Sequence, residues 1–188
     1  MITETSPEHG SGPTWHRGDW MQTWTGKQFF PLDPKPADIA TADIARALSM
    51  QCRYNGHTNR LYTVAEHSVL ISQAVCPGHA LAGLLHDATE AYLGDMVKPL
   101  KKNIAQYIEI EQRLWKVIAV AYGIDPQIPA CVAAADARIL VDERAALLGP
   151  TPAPWGTEHL EPLGVTIRAL EQPQAEALWL ERLAELTT

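Results

Sequence analysis

The sequence predicts an all-α fold in a single domain. Three observations predict it: apolar residues recur at helical spacing in six segments, Gly and Pro turns separate those segments, and no run of alternating strand residues or internal repeat interrupts them. Taken in order, residues 1–14 are mainly Ser, Thr, Gly, Pro and Glu and predict a mobile tail. Residues 15–37 set Trp15, Trp20, Trp24, Phe29 and Phe30 among Gly and Pro, an irregular aromatic-rich arm with room for a short hairpin, packed onto the rest. Tail and arm (1–37) form no independent domain; the helical core spans 38–188. A first helix over 38–54 lines up Ile44, Leu48 and Cys52 on one side, and Asn55-Gly56 turns the chain. Helices over 64–75 and 79–92 make a hairpin about Cys76-Pro77-Gly78, and Gly94 and Pro99 bracket a break. Further helices cover 104–122 and 129–148, a long Pro/Gly loop covers 149–164, and a last helix covers 172–186.

Hydrophobic residues make up 46% of the 188 positions and charged residues 20%, the balance of a globular domain with a real core. A net charge of -7 argues against a nucleic-acid polymer as partner, which would need a dominant basic face. It leaves room for a small anionic substrate, since a few Lys and Arg around a metal suffice locally. Cys52, Cys76 and Cys131 are scattered and form no CxxC pair, which predicts reduced thiols rather than a disulfide framework or a zinc knuckle. The first twenty residues lack the basic and apolar regions of a signal peptide, and no run is long enough to span a bilayer; together these point to the cytoplasm and no membrane partner.

The hairpin carries ionisable side chains where a core would prefer Leu or Ala. His67 lies ten residues before Pro77 and His86 nine after it. At about 1.5 Å per residue, the two imidazoles sit within about one residue's rise of each other. Ala82 and Gly83 are small enough to let the helices approach. On the helix over 129–148, Asp136 has Val132, Ala133, Ile139 and Leu140 at i±3 and i±4, so its carboxylate lies in an apolar stripe where an unpaired charge is expensive. Asp142, four residues from Arg138, reads as half of a solvent-side ion pair. Glu143 shares the Asp136 stripe two turns on and reads as a structural acid.

A His-Asp dipeptide carries little weight alone, and a single buried His is ordinarily a hydrogen-bonded core residue. The combination weighs more. Matched heights of His67 and His86, the adjacent Asp87 and the stripe-buried Asp136 make a mixed N/O ligand set from three helices, suited to Zn, Mn, Fe or Co.

The segments "AEHS", "LLHDATEAYLGDMVKPLK" and "AADARILVDE" resemble the successive motifs of the HD-domain metal-dependent phosphohydrolases. The likeness is greatest to the branch of bacterial 5′-deoxynucleotidases and small phage-type deoxynucleoside triphosphohydrolases. It runs from about Arg53 to Glu143, roughly half the chain, and the "HDATE…GD…P…K" run is its specific part. The resemblance implies an HD-domain helical bundle with His67, His86, Asp87 and Asp136 as ligands of a divalent ion (Mn, Co, Fe, Zn or Mg). Glu90 and Asp95 fall where the family keeps the acids that handle protons around the attacking water. Arg53-Tyr54 resembles an Arg-Trp pair that binds phosphate and packs on the deoxyribose, and Lys101 falls at a family lysine position. Two departures stand out: the His67–His86 spacing is short for the branch, and Tyr54 replaces the tryptophan.

Chemistry adds to the resemblance. Glu90 lies one turn beyond His86, on the metal side of the helix, where it would orient a water or take its proton. Arg53 offers a fork matched to phosphate oxygens, and His57 and Lys101 are the next cationic candidates. The implied activity is metal-dependent hydrolysis of a deoxynucleotide 5′-phosphate, with a homodimer implied by the family. A triphosphohydrolase, a hydrolase of another phosphate ester and a non-catalytic nucleotide-binding module stand as alternatives.

Overall fold

In the computed structural model, which describes residues 17–188, the helix Val64–Ala74 (α2) lies at the centre. It packs against Thr41–Met50 (α1), Ala80–Leu85 (α3), Ala130–Leu147 (α7) and Gln172–Thr187 (α8). The short helices Glu90–Leu93 (α4) and Lys98–Lys101 (α5) and the long Ala105–Tyr122 (α6) complete an all-α domain. The predicted tail and Trp15 lie outside the described residues. Among the described residues, no helix is long and apolar enough to cross a membrane.

The local chemistry explains α2. Thr63 caps it, its hydroxyl accepting the N–H of Glu66 at 3.1 Å. Val64, Ala65, Val69 and Ile71 are buried, as are Glu66, His67, Ser68 and Ser72. A helix covered on nearly every side must satisfy its polar groups internally. The Glu66 carboxylate does so by accepting the backbone N–H groups of Arg168, Ala169 and Leu170 at 2.8, 3.0 and 2.7 Å, which fastens the segment leading into α8.

The main core joins Ile44 and Leu48 of α1, Val69 of α2, Leu84 and Leu85 of α3, Leu114 and Ile118 of α6, and Trp179 of α8. A second cluster, Ile71, Ala82, Val132, Ala135 and Ile139, seats α7 on the hairpin. The predicted approach at Gly83 is realised: a Cβ there would lie 3.2 Å from the Ser72 Cα and from Val75 Cγ2.

The arm forms the hairpin Met21–Gln22 (β1) with Gln28–Phe29 (β2). Phe29 is fully buried and stacks on Tyr92 of α4 at 4.0 Å, and buried Asp43 of α1 accepts the N–H and hydroxyl of Thr25. The arm thus backs the segment that carries Glu90.

Three expectations need correction. The helix expected over 79–92 is not continuous: hydrogen bonds run i→i−3 from Ala88 to Leu85 and from Glu90 to Asp87, tightening the HDAT segment between α3 and α4. Cys52 lies beyond α1, in an isolated bridge to Thr63, because the helix ends at Met50. Asp142 and Arg138 do not pair with each other. Asp142 accepts the N–H groups of Leu163, Gly164 and Val165 at 2.7–3.1 Å, and Arg138 donates to the carbonyls of Glu161 and Pro162, so both clamp the Pro/Gly loop.

Candidate metal centre

The central helix and the end of α3 bring His67, His86 and Asp87 into one donor group, and Asp136 of α7 meets its edge through His67. His67 Nε2 lies 3.3 Å from His86 Nε2, 3.5 Å from Asp87 Oδ2 and 3.4 Å from Asp136 Oδ1, and His86 Nε2 lies 3.1 Å from Asp87 Oδ2. Bonds of about 2.0–2.2 Å to one ion would separate neighbouring donors by about 2.9 Å at right angles and about 3.5 Å in a tetrahedron. The observed edges fall in that interval.

The other imidazole nitrogens decide what the Nε2 atoms can be. His67 Nδ1 donates to Oε1 of Glu143 at 2.6 Å, and His86 Nδ1 donates to the Gly83 carbonyl at 2.9 Å. With both ring protons on Nδ1, two bare Nε2 lone pairs face each other at 3.3 Å beside two carboxylates. A proton or a metal cation between its members relieves this arrangement, and the donor set fits a divalent ion. Without a metal, a proton serves: burial and Arg53 lower the His67 pKa, but Glu143 and Asp136 outweigh them and carry it to about 9. Burial raises Asp87 and Asp136, yet the neighbouring imidazoles dominate and hold both well below the carboxylate range.

Glu143 is the hub the sequence reading left as a structural acid. Fully buried, it accepts from His67, from Tyr62 at 3.0 Å, from Arg53 at 3.4 Å and from the Tyr54 hydroxyl in a short bond. Burial pushes its pKa up, but Arg53 and His67 keep it at about 2. A carboxylate behind a ligating imidazole fixes its tautomer and raises its basicity. The signal was the i+7 spacing from Asp136, which puts both acids on one face of α7.

The proton-handling candidates sit beside the donors. Glu90 is buried, its Oε2 lacks a hydrogen-bond partner among the described residues, and burial followed by Asp87 and Asp95 drives its pKa well up. Asp95 is raised as well, chiefly by burial. Gln51, which sequence reasoning passed over, ties the two together, donating to the Glu90 carbonyl at 2.9 Å and accepting the Asp95 N–H at 3.0 Å.

The substrate candidates divide. Arg53 is buried between Glu143 and Asp87, its contacts to them long at 3.4–3.5 Å. Tyr54 adopts φ 58°, a strained value for a bulky residue, with its hydroxyl on Glu143. His57 is exposed at the end of the same turn, Arg53–Gly56. Lys101 pairs with Glu111, and Lys98, from the same short helix, reaches Asp136 Oδ2 at 3.3 Å and leaves Oδ1 facing His67.

The protein is all-α, with His67, His86 and Asp87 grouped in a partly buried centre and Asp136 at its edge. No family model matches the chain. The chain is 40% identical over 125 residues to "Uncharacterized protein YfdR" of Escherichia coli, covering 66% of this chain and 70% of that protein, and it belongs to that family. It is also 39% identical over 121 residues to an uncharacterized protein of Rhodobacter capsulatus, covering 59% of this chain and 62% of the relative, so less than two thirds of that protein's length is spanned.

Proposed function

We propose that this protein is a divalent-metal-dependent phosphohydrolase of the HD-domain type that removes the 5′-phosphate of a deoxynucleotide. The observation that carries the metal is the pair of bare Nε2 atoms of His67 and His86, facing at 3.3 Å between Asp87 and Asp136. The substrate class comes from the resemblance of the motifs between Arg53 and Glu143. The same reading makes the working unit a cytoplasmic homodimer.

When bound, the ion lowers the pKa of a water and polarises a phosphoryl oxygen. The chain's own groups handle the rest. As the water oxygen bonds to phosphorus and the P–O5′ bond breaks, one proton leaves the water and one reaches the departing oxygen. Glu90, its pKa driven well up by burial and by Asp87, is suited to supply the latter, and Asp95, raised chiefly by burial, to accept the former. Arg53, loosely held by two carboxylates, turns part of its fork to the phosphate, with Lys101 and His57 as further cationic candidates.

Phosphate release from deoxy- and ribonucleotide mono-, di- and triphosphates, assayed with Mn, Co, Zn and Mg, tests this. Metal-dependent orthophosphate from a deoxynucleoside monophosphate, lost in Asp87→Ala, supports the reading. Triphosphate as product would make the protein a triphosphohydrolase. No release from a folded, metal-loaded protein would leave a nucleotide-binding module or a different ester.

A further inference from the structure

Sequence spacing reads the cysteines as scattered, yet the fold unites two of them. Cys76 precedes the tight turn Pro77–His79, His79 closes it, and Cys131 lies in the first turn of α7. His79 Nδ1 is 3.1 Å from the sulfur of Cys76 and 3.1 Å from that of Cys131, and the sulfurs are 3.9 Å apart. We propose that Cys76, His79 and Cys131 form a second metal site, which takes a thiophilic divalent ion of the zinc type.

The geometry separates this from a thiol pair. A disulfide needs sulfurs about 2.05 Å apart with nothing between them. Here the sulfurs stand at 3.9 Å with one imidazole nitrogen equally near both. That nitrogen has a single lone pair or a single N–H and cannot serve two sulfurs equally well; an ion can take a pair from each of the three atoms. Metal–sulfur bonds of about 2.3 Å and metal–nitrogen bonds of about 2.0 Å imply a sulfur–sulfur edge of about 3.8 Å, close to that seen, and sulfur–nitrogen edges of about 3.5 Å, to which a small opening leads. Two thiolates and a neutral imidazole would neutralise a dication. Cys76 and His79 are exposed, so a water has access to the fourth position.

The donors also differ in kind from those of the histidine–aspartate centre, which has no sulfur. Soft thiolates select zinc-like ions, while His and carboxylate donors accept harder ones, so two different metals can be sorted within one chain. The position gives the ion a structural task. It would join the turn of the α2–α3 hairpin, which carries His67, His86 and Asp87, to the start of α7, which carries Asp136. Val132, next to Cys131, already packs with Ile71 and Ala82 at this junction.

Cobalt(II) titration of the full chain, with cysteines kept reduced, tests the proposal independently of any catalytic role. Thiolate coordination adds a near-ultraviolet sulfur-to-cobalt absorption that His and carboxylate donors cannot produce. The band is expected in wild type and in Asp87→Ala, displaced by zinc, and abolished in Cys76→Ser and in Cys131→Ser, both checked for helical content by circular dichroism. Absence of the band in reduced wild type, or its survival in both serine variants, would overturn the site. So would a Cys76–Cys131 disulfide whose reduced form binds no cobalt.

Discussion

Oε1 of Glu143 accepts the Nδ1 proton of His67 at 2.6 Å, and that contact turns the opposite nitrogen, Nε2, toward His86, Asp87 and Asp136. Glu143 reaches no substrate under this reading; it acts by positioning His67. Glu143→Gln keeps the volume and an acceptor oxygen but removes the charge. Metal affinity, measured by competition with a chelator, is expected to fall about 10–100-fold. An unchanged affinity would show that His67 is oriented by packing alone.

Asp136 and Asp142 lie on the same helix and are expected to behave differently. Asp136→Ala removes a donor of the proposed centre, so its metal affinity should fall. Asp142→Ala removes the acceptor of three loop N–H groups. It should lower stability by about 1–3 kcal/mol while leaving the metal content unchanged. Metal analysis beside urea unfolding of both variants separates the two roles.

Under the proposed function, proton and metal compete for the same nitrogen. In the metal-free protein His67 has a pKa of about 9, against about 6.5 for the unfolded chain. Its contribution to stability is complete below about pH 6.5 and is lost as the pH rises through about 9. The raised carboxyls of Glu90 and Asp95 act in the same direction. Metal binding needs the imidazole neutral, so affinity should climb with pH up to about 9 and release protons on binding. Unfolding midpoints compared at about pH 6.5 and about pH 9 should therefore fall with chelator present and rise with saturating metal. Parallel trends in both conditions would rule out His67 as a ligand.

Gly83 sets the spacing of the hairpin. The Cβ in Gly83→Ala would stand 3.2 Å from the Ser72 Cα and from Val75 Cγ2, so backbone has to move. A loss of about 1–3 kcal/mol is expected. Because α2 and α3 separate, metal affinity should drop as well, although no donor has been changed. Thermal unfolding with and without metal reads both effects.

Much of this was legible in the sequence, and the reasons are local. Apolar periodicity placed α2, α6, α7 and α8 to within a residue or two, and counting from Pro77 put His67 and His86 at one height. The interruption at HDAT was not legible, since its first and last residues, His86 and Thr89, keep helical dihedrals while the hydrogen bonds switch to i→i−3. The partners of Glu66, Asp142 and Glu143 were hidden for another reason. Each carboxylate is satisfied by groups twenty or more residues away, and no spacing rule reaches that far. Cys76 and Cys131, fifty-five residues apart, meet for the same reason: tertiary packing sets α7 against the hairpin turn.

The central claim is that His67, His86, Asp87 and Asp136 share one divalent ion. Anomalous diffraction from a crystal of the manganese-loaded protein tests it most directly. One strong peak is expected there, about 2.0–2.3 Å from both Nε2 atoms and from an oxygen of each aspartate. A map with no peak there, or with density only beside Cys76, His79 and Cys131, would contradict it.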